Sequence, residues 1–189
     1  TSAGIDFDPK DSRLLEILRE IKIREDKGFS YDLAQASFEL LALKVLKNIP
    51  DFFTVERYRV TMERRRDERN NSVTLSEAVV VLKIGDKKTL SVSESMDDEG
   101  SDRGPVNALA NAISKDLGPY QDIIDDIKLV DFKVRITSGG VGAVTRVLID
   151  SEDSQGVRWS TVGVSANIID ASFQALLDAI NWKLFSSGV

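Results

Sequence analysis

The chain contains no cysteine and no histidine. The first absence removes a disulfide framework and a thiolate nucleophile, and fits a reducing compartment. The second removes the imidazole on which most catalytic zinc sites, Ser-His relays and neutral-pH proton shuttles depend. No apolar run approaches the roughly 20 residues of a bilayer span, and the opening TSAGIDFDPKDS lacks the charged and apolar regions of a signal peptide. A soluble, cytoplasmic protein with no membrane partner is expected. Positive charge is short too: 25 Lys and Arg stand against 31 Asp and Glu, giving a net charge of -6 and a pI near 4.8. Nucleic-acid affinity comes largely from cations neutralising phosphates, so no nucleic-acid partner is expected. The one basic cluster, Glu63 to Arg66, runs straight into Asp67 and Glu68 and reads as a solvated strand end.

What is present is an ordinary globular composition, 42% hydrophobic and 30% charged over 189 residues, enough for one or two domains. Residues 11–48 carry helical spacing. Leu14, Ile17, Leu18 and Ile21 form one apolar stripe, stopped by Gly28. Ser30 can cap a second helix with the stripe Ala34, Phe38, Leu41 and Val45, and Pro50 ends the helical character. Such a hairpin buries too little to stand alone, so its apolar faces are expected to meet something else.

From Phe52 the period changes to alternation. TVERYRVTMERR sets Val55, Arg57, Arg59 and Thr61 on one strand face and Tyr58, Val60 and Met62 on the other. VTLSEAVVVLKIG and KKTLSVSES continue as strands around a turn at GDKK, and a helix begins near Pro105, whose missing N–H costs nothing in a first turn. KLVDFKVRIT, GAVTRVLID, VRWSTVGV and the helix after Ser165 then repeat that order. Val106–Ile113 and Phe173–Ile180 align with identical Ala, Leu, Ala and Ile at a shift of 67 residues. Tyr58, Val60 and Met62 align with Phe132, Val134 and Ile136 at a shift of 74. The expectation is an α+β chain: a helical hairpin over residues 1–48, then a domain over 49–189 made of two βββα units with pseudo-twofold symmetry, 49–118 and 119–189.

In each unit the helix covers one sheet face, and runs of alanine keep the helix surfaces thin. Helix N-termini are ready carboxylate sites, because their first N–H groups have no internal partner and the dipole is positive there. An amino acid could set its carboxylate on the starts at RGPVNA and SANIID, its branched side chain against Val106, Leu129, Phe132, Ile136 and Ile168, and its ammonium toward Asp102 or a backbone carbonyl. The alternative reading makes the same residues core and caps.

The stretches GFSYDLAQASFELL (28–41), RGPVNALANAI (103–113), LVDFKVRI (129–136), GAVTRVLIDS (142–151) and VRWSTVGVSANIIDASFQALLDAINWKL (157–184) resemble the C-terminal region of the α-isopropylmalate synthase family, most closely its citramalate-forming branch. The resemblance implies a metal-dependent catalytic barrel, absent from this chain, that condenses an α-keto acid with acetyl-CoA. It further implies a helical linker and a regulatory domain that forms a homodimer and binds the end product for feedback inhibition, isoleucine in the citramalate branch and leucine in the isopropylmalate branch. By motif, the effector positions carried over are Gly104, Pro105 and Val106, then Leu129, Phe132 and Ile136, then Ala166, Asn167 and Ile168. Two departures stand out: Asp102-Arg103-Gly104-Pro105 replaces the family's frequent Gly-Asn-Gly-Pro, and Phe132 stands where a tyrosine is common. No catalytic residue, metal ligand or cofactor is implied in this stretch. A dimerisation module without ligand response remains the competing expectation.

Other features read as structure. SGGVGAVTR, residues 138–146, lacks the G-x-G-x-x-G order and leads from strand to strand, so it is a hairpin loop. The acids Asp97, Asp98, Glu99 and Asp102 lack the spacing of a calcium loop. Asp122, Asp125 and Asp126 read as a solvated face, and Trp159 and Trp182 as packing residues.

Overall fold

The computed structural model describes residues 12–46, 49–97, 104–137 and 143–189. Most of the acidic loop (Asp98, Glu99, Asp102 and the Asp97 side chain) and residues 138–142 of the glycine-rich loop lie outside that set. Two helices come first, α1 (Ser12–Asp26) and α2 (Gln35–Val45). Then follow β1 (Thr54–Arg66), β2 (Ser72–Ile84), β3 (Lys87–Asp97), α3 (Pro105–Ser114) and a 3-10 turn at Gly118–Tyr120 that runs into α4 (Gln121–Ile124). The order recurs as β4 (Lys128–Ile136), β5 (Thr145–Glu152), β6 (Arg158–Ser165) and α5 (Ile168–Ser186). The strands form two separate antiparallel sheets, β1-β2-β3 and β4-β5-β6, so the α+β class and the doubled βββα order are as the sequence predicts.

The duplication extends to a defect. β1 carries a bulge at Glu56 and β4 one at Val130, 74 residues on, the same offset that aligns the strands. A bulge adds one residue and so reverses the face of everything before it. Val55 thereby joins Tyr58 and Val60 on the inward face, opposite Leu82, which corrects its expected grouping with Arg57. Leu129 likewise comes into phase with Phe132, Val134 and Ile136.

Contacts divide the chain into two compact units, one of residues 51–125 and one of Thr1–Pro50 together with Asp126–Val189. In the first unit β2 turns Ser76, Ala78, Val80 and Leu82 inward, all at 0% exposure, and α3 covers them with Ala108, Leu109, Ala112 and Ile113. Phe52 and Tyr120 meet edge to face at 5.8 Å beside this core. Glycine at 85, with φ +56, closes the tight turn between β2 and β3. The basic strand end is tied into its own hairpin: Arg64 Nε donates to Ser72 Oγ at 2.7 Å, and Asp67 Oδ1 accepts from the Arg69 and Asn71 amides.

In the second unit α5 lies on β5 and β6 with Ala171, Ala175 and Ala179 buried. The approach is so close that a Cβ on Gly163 would overlap the backbone of Ala171 and Ala175. The small residues thus serve helix-on-sheet contact. The hairpin docks here as well. Ala34 packs with Leu148, Val162 and Val164, flanked by Phe29 and Tyr31, on the sheet face opposite α5. α2 runs beside α5 and β6, where Ser37 Oγ accepts from the Val162 amide at 3.0 Å and donates to Asp178 Oδ2 at 2.7 Å. Gln174 accepts from the Val164 amide, so side chains satisfy two edge donors of β6. Burial pushes the Asp178 carboxyl up, against the pull of Lys44 and Ser37.

Two helical expectations are corrected. Ser30 does not cap α2; its hydroxyl goes to Asp32, and Ala34 holds the N-cap position without a side-chain bond. Leu18 is 61% exposed: the α1 contact with Ala42 and Leu46 uses Ile17 and Ile21, a narrower stripe than the spacing suggests.

Candidate functional site

The two helix starts differ in how their free N–H groups are treated. At α5, Asn167 is the N-cap; its side chain accepts from the Ile169 amide at 2.8 Å, its carbonyl accepts from Ala171, and its own amide donates to Ser165 Oγ. At α3, Gly104 is the N-cap and offers no side chain; its carbonyl accepts from Asn107 and Ala108, while Pro105 has no N–H to give. Among the described residues nothing lies within 4 Å of the position a Gly104 Cβ would take. Among those residues no side chain caps the start of α3, whereas that of α5 is served by its own cap.

The helices also start out of step. Their matched cores are offset by 67 residues, but Pro105 and Ile168 by 63, so α5 carries about one extra turn before the repeated segment. The residues expected to bind effector fall into three places. Gly104, Pro105 and Val106 are half-buried at the α3 start. Leu129, Phe132 and Ile136 share one face of β4 with Val134, and because α5 lies over β5 and β6, this stripe stays accessible: Leu129 is 44% exposed and Ile136 73%. Ala166, Asn167 and Ile168 are exposed at the α5 start.

Register links the last two groups. Ile136 pairs with Thr145, and Thr145 with Ser165, so Ile136 and the α5 start occupy the same end of the sheet, about two strand spacings or roughly 10 Å apart. Leu129 pairs with Ser151 at the other end, roughly 20 Å along the strand. Asp102, the expected ammonium partner, lies outside the described residues.

The sequence reading missed two groups on the inward face of the first sheet. Ser76 and Ser95 are opposite each other in the β2–β3 register, are 0% and 6% exposed, and have hydroxyls without a hydrogen-bond partner among the described residues. The signal was there in SVSES, which places Ser91, Ser93 and Ser95 at inward positions of β3. It also missed a buried ion cluster at the far end of α5. Lys183 Nζ lies 2.8 Å from Asp153 and 3.2 Å from Asp126, and sits over the Trp159 ring. Asp126 is therefore not simply a solvated acid. Burial opposes the charge on Lys183, but the two carboxylates outweigh it and hold its pKa above the ordinary lysine value. The Lys183 ammonium and the Gln155 and Val157 amides hold the Asp153 carboxyl low, against desolvation; the Ser154 hydrogen bonds and then Lys183 do the same for Asp126. Trp159 stacks on Trp182 at 5.2 Å and is buried, a packing role.

Among the described residues, no group of three or more His, Cys, Asp or Glu could hold a metal ion, and no helix is long and apolar enough to cross a membrane.

Comparison with known proteins bears on this arrangement. A family model described as the LeuA allosteric (dimerisation) domain matches residues 32–184. The (R)-citramalate synthase of Geobacter sulfurreducens is 43% identical over 186 residues, covering 97% of this chain and 33% of the relative. That of Aquifex aeolicus is 39% identical over 183 residues, covering 96% and 33%. A 2-isopropylmalate synthase from Pectobacterium atrosepticum is 26% identical over 163 residues, covering 85% and 26%. The chain spans about a third of the length of the curated relatives it matches.

Proposed function

Because the chain belongs to the LeuA allosteric (dimerisation) domain family, we propose that it is the regulatory part of a longer cytoplasmic citramalate synthase. On this reading it binds the end-product branched-chain amino acid, isoleucine in preference to leucine, joins two protomers, and passes the binding signal through α1 and α2 to a catalytic barrel for feedback inhibition. The observation that carries it is similarity to citramalate synthases over nearly the whole chain. The geometry supports it. Within the second unit, the β4 stripe leaves apolar surface free for a branched side chain at the sheet end where α5 begins. The docking of α2 against α5 and β6 gives a mechanical link from the second sheet to the hairpin. Feedback coupling of this kind needs about 1 to 3 kcal/mol.

Calorimetry with isoleucine, leucine and valine tests the proposal. A heat of binding and a ligand-dependent rise in melting temperature are expected, largest for isoleucine. No heat and no shift at millimolar amino acid defeats it. The second reading, a dimerisation module without ligand response, draws on the same stripe: Leu129, Val134 and Ile136 are apolar surface that a second copy would bury. A dimer indifferent to all three amino acids favours that reading.

A further inference from the structure

We infer that the hydroxyls of Ser76 and Ser95, with the uncapped start of α3, form the seat for the α-carboxylate of the effector amino acid. This deepens the regulatory reading above and rests on it. Both side chains are more than nine-tenths buried, and neither hydroxyl has a partner among the described residues. Buried hydroxyls in folded proteins are nearly always hydrogen-bonded, since an unpaired one is destabilising. Alanine would fit: Ala78 holds the next inward position of β2 at 0% exposure. Two orphan hydroxyls side by side, retained where alanine packs, point to a use outside the folded chain's own hydrogen bonding.

Their position says which use. Directly paired residues of neighbouring strands place their Cβ atoms about 4.5–5.5 Å apart on one face, close enough for both hydroxyls to reach one carboxylate. That face is the one α3 covers. They lie toward the N-terminal end of α3, because β3 leads from Ser95 out to that helix. The opposite end is marked by Lys115 Nζ, which donates to the Val92 carbonyl at 2.7 Å, and by Gly118, where a side chain would meet Ile84 Cδ1 at 3.6 Å. At the α3 start no side chain caps the helix, and the Val106 N–H has no partner among the described residues. Two O–H donors thus lie beneath the end of α3 that carries one N–H donor and the positive helix pole, a set suited to an anion with two oxygens. The carboxylate reaches the serines as the first turn of α3 lifts from the sheet, and that turn is held by no side-chain hydrogen bond of its N-cap. Bound and free states then differ in the position of α3, which regulation requires.

The test uses the 189-residue chain and its Ser76→Ala and Ser95→Ala variants, followed by melting and calorimetry with isoleucine and with isoleucinol, which lacks the carboxylate. Both variants should melt at or above the parent temperature without ligand, and each should bind isoleucine about tenfold or more weakly, the loss expected for one hydrogen bond to a charged group. Isoleucinol should bind the parent and both variants equally poorly. Undiminished isoleucine binding by the variants overturns the seat and leaves the regulatory reading standing. A marked fall in melting temperature without ligand also overturns it, since the hydroxyls would then serve the fold itself. Absence of isoleucine binding by the parent removes both.

Discussion

The two βββα repeats share a plan down to the position of a strand bulge, yet they are finished differently. In the second repeat several local demands are met: Asn167 caps α5, Ser37 and Gln174 satisfy two β6 edge donors, Gly163 lets the helix touch the sheet, and Lys183 is neutralised by two acids. In the first repeat α3 is short and, among the described residues, has no side-chain cap, and the sheet beneath it holds two hydroxyls without partners among those residues. A duplicated unit can thus divide labour. One copy becomes the platform on which the hairpin is mounted, and the other holds the groups to which the proposed carboxylate seat is assigned.

The sharpest way to break this contrast is through its glycines. Gly163→Ala forces α5 off β6 and should cost roughly 3 kcal/mol or more, read by urea unfolding. A substitution at Gly104, where nothing is within reach, should carry no steric cost. Next comes the ion cluster. Asp153 and Asp126 have folded pKa values below the ordinary carboxylate, so their stabilisation is full above the unfolded value of about 4 and is lost as pH falls through the folded values. Lys183→Met should lower the melting temperature near pH 7 and flatten its fall between about pH 5 and 2, an unchanged acid slope being the contrary result.

Smaller effects follow at the interface with the hairpin and at the helix caps. Ser37→Ala leaves the Val162 amide without its acceptor and should cost about 1–3 kcal/mol, with faster amide exchange at Val162 as the local readout. Asn167→Ala should cost about 1 kcal/mol, whereas Gly104→Ser, which supplies a cap where none exists, should gain a few tenths of a kcal/mol. Equal responses at the two helix starts would erase the asymmetry.

Much of this fold was readable from the residues. Alternation over Tyr58, Val60 and Met62 and the helical repeat of Ala108, Leu109, Ala112 and Ile113 in Ala175, Leu176, Ala179 and Ile180 gave the elements and their doubling, and all eight helix residues are buried. The bulges were not readable, because an extra residue is indistinguishable from a strand residue until its partner strand is known; the face of Val55 was misjudged for that reason. Ser30 looked like a cap by residue type, but the chain turns through Asp32 and Leu33 before α2 begins. At the candidate site, Ile136 and Asn167 share one sheet end through strand register, which only pairing reveals. Ser76 and Ser95 passed unnoticed because alternation in SVSES shows serines on one strand face but not whether that face is covered; their orphan state exists only once α3 is laid over them.

Hydrogen exchange of the chain with and without saturating isoleucine tests the responsive-copy account most directly. Slowed exchange concentrated in the first turns of α3, with the body of α5 nearly unchanged, is the predicted footprint. Slowing confined to the second repeat, or none anywhere at millimolar isoleucine, would contradict it.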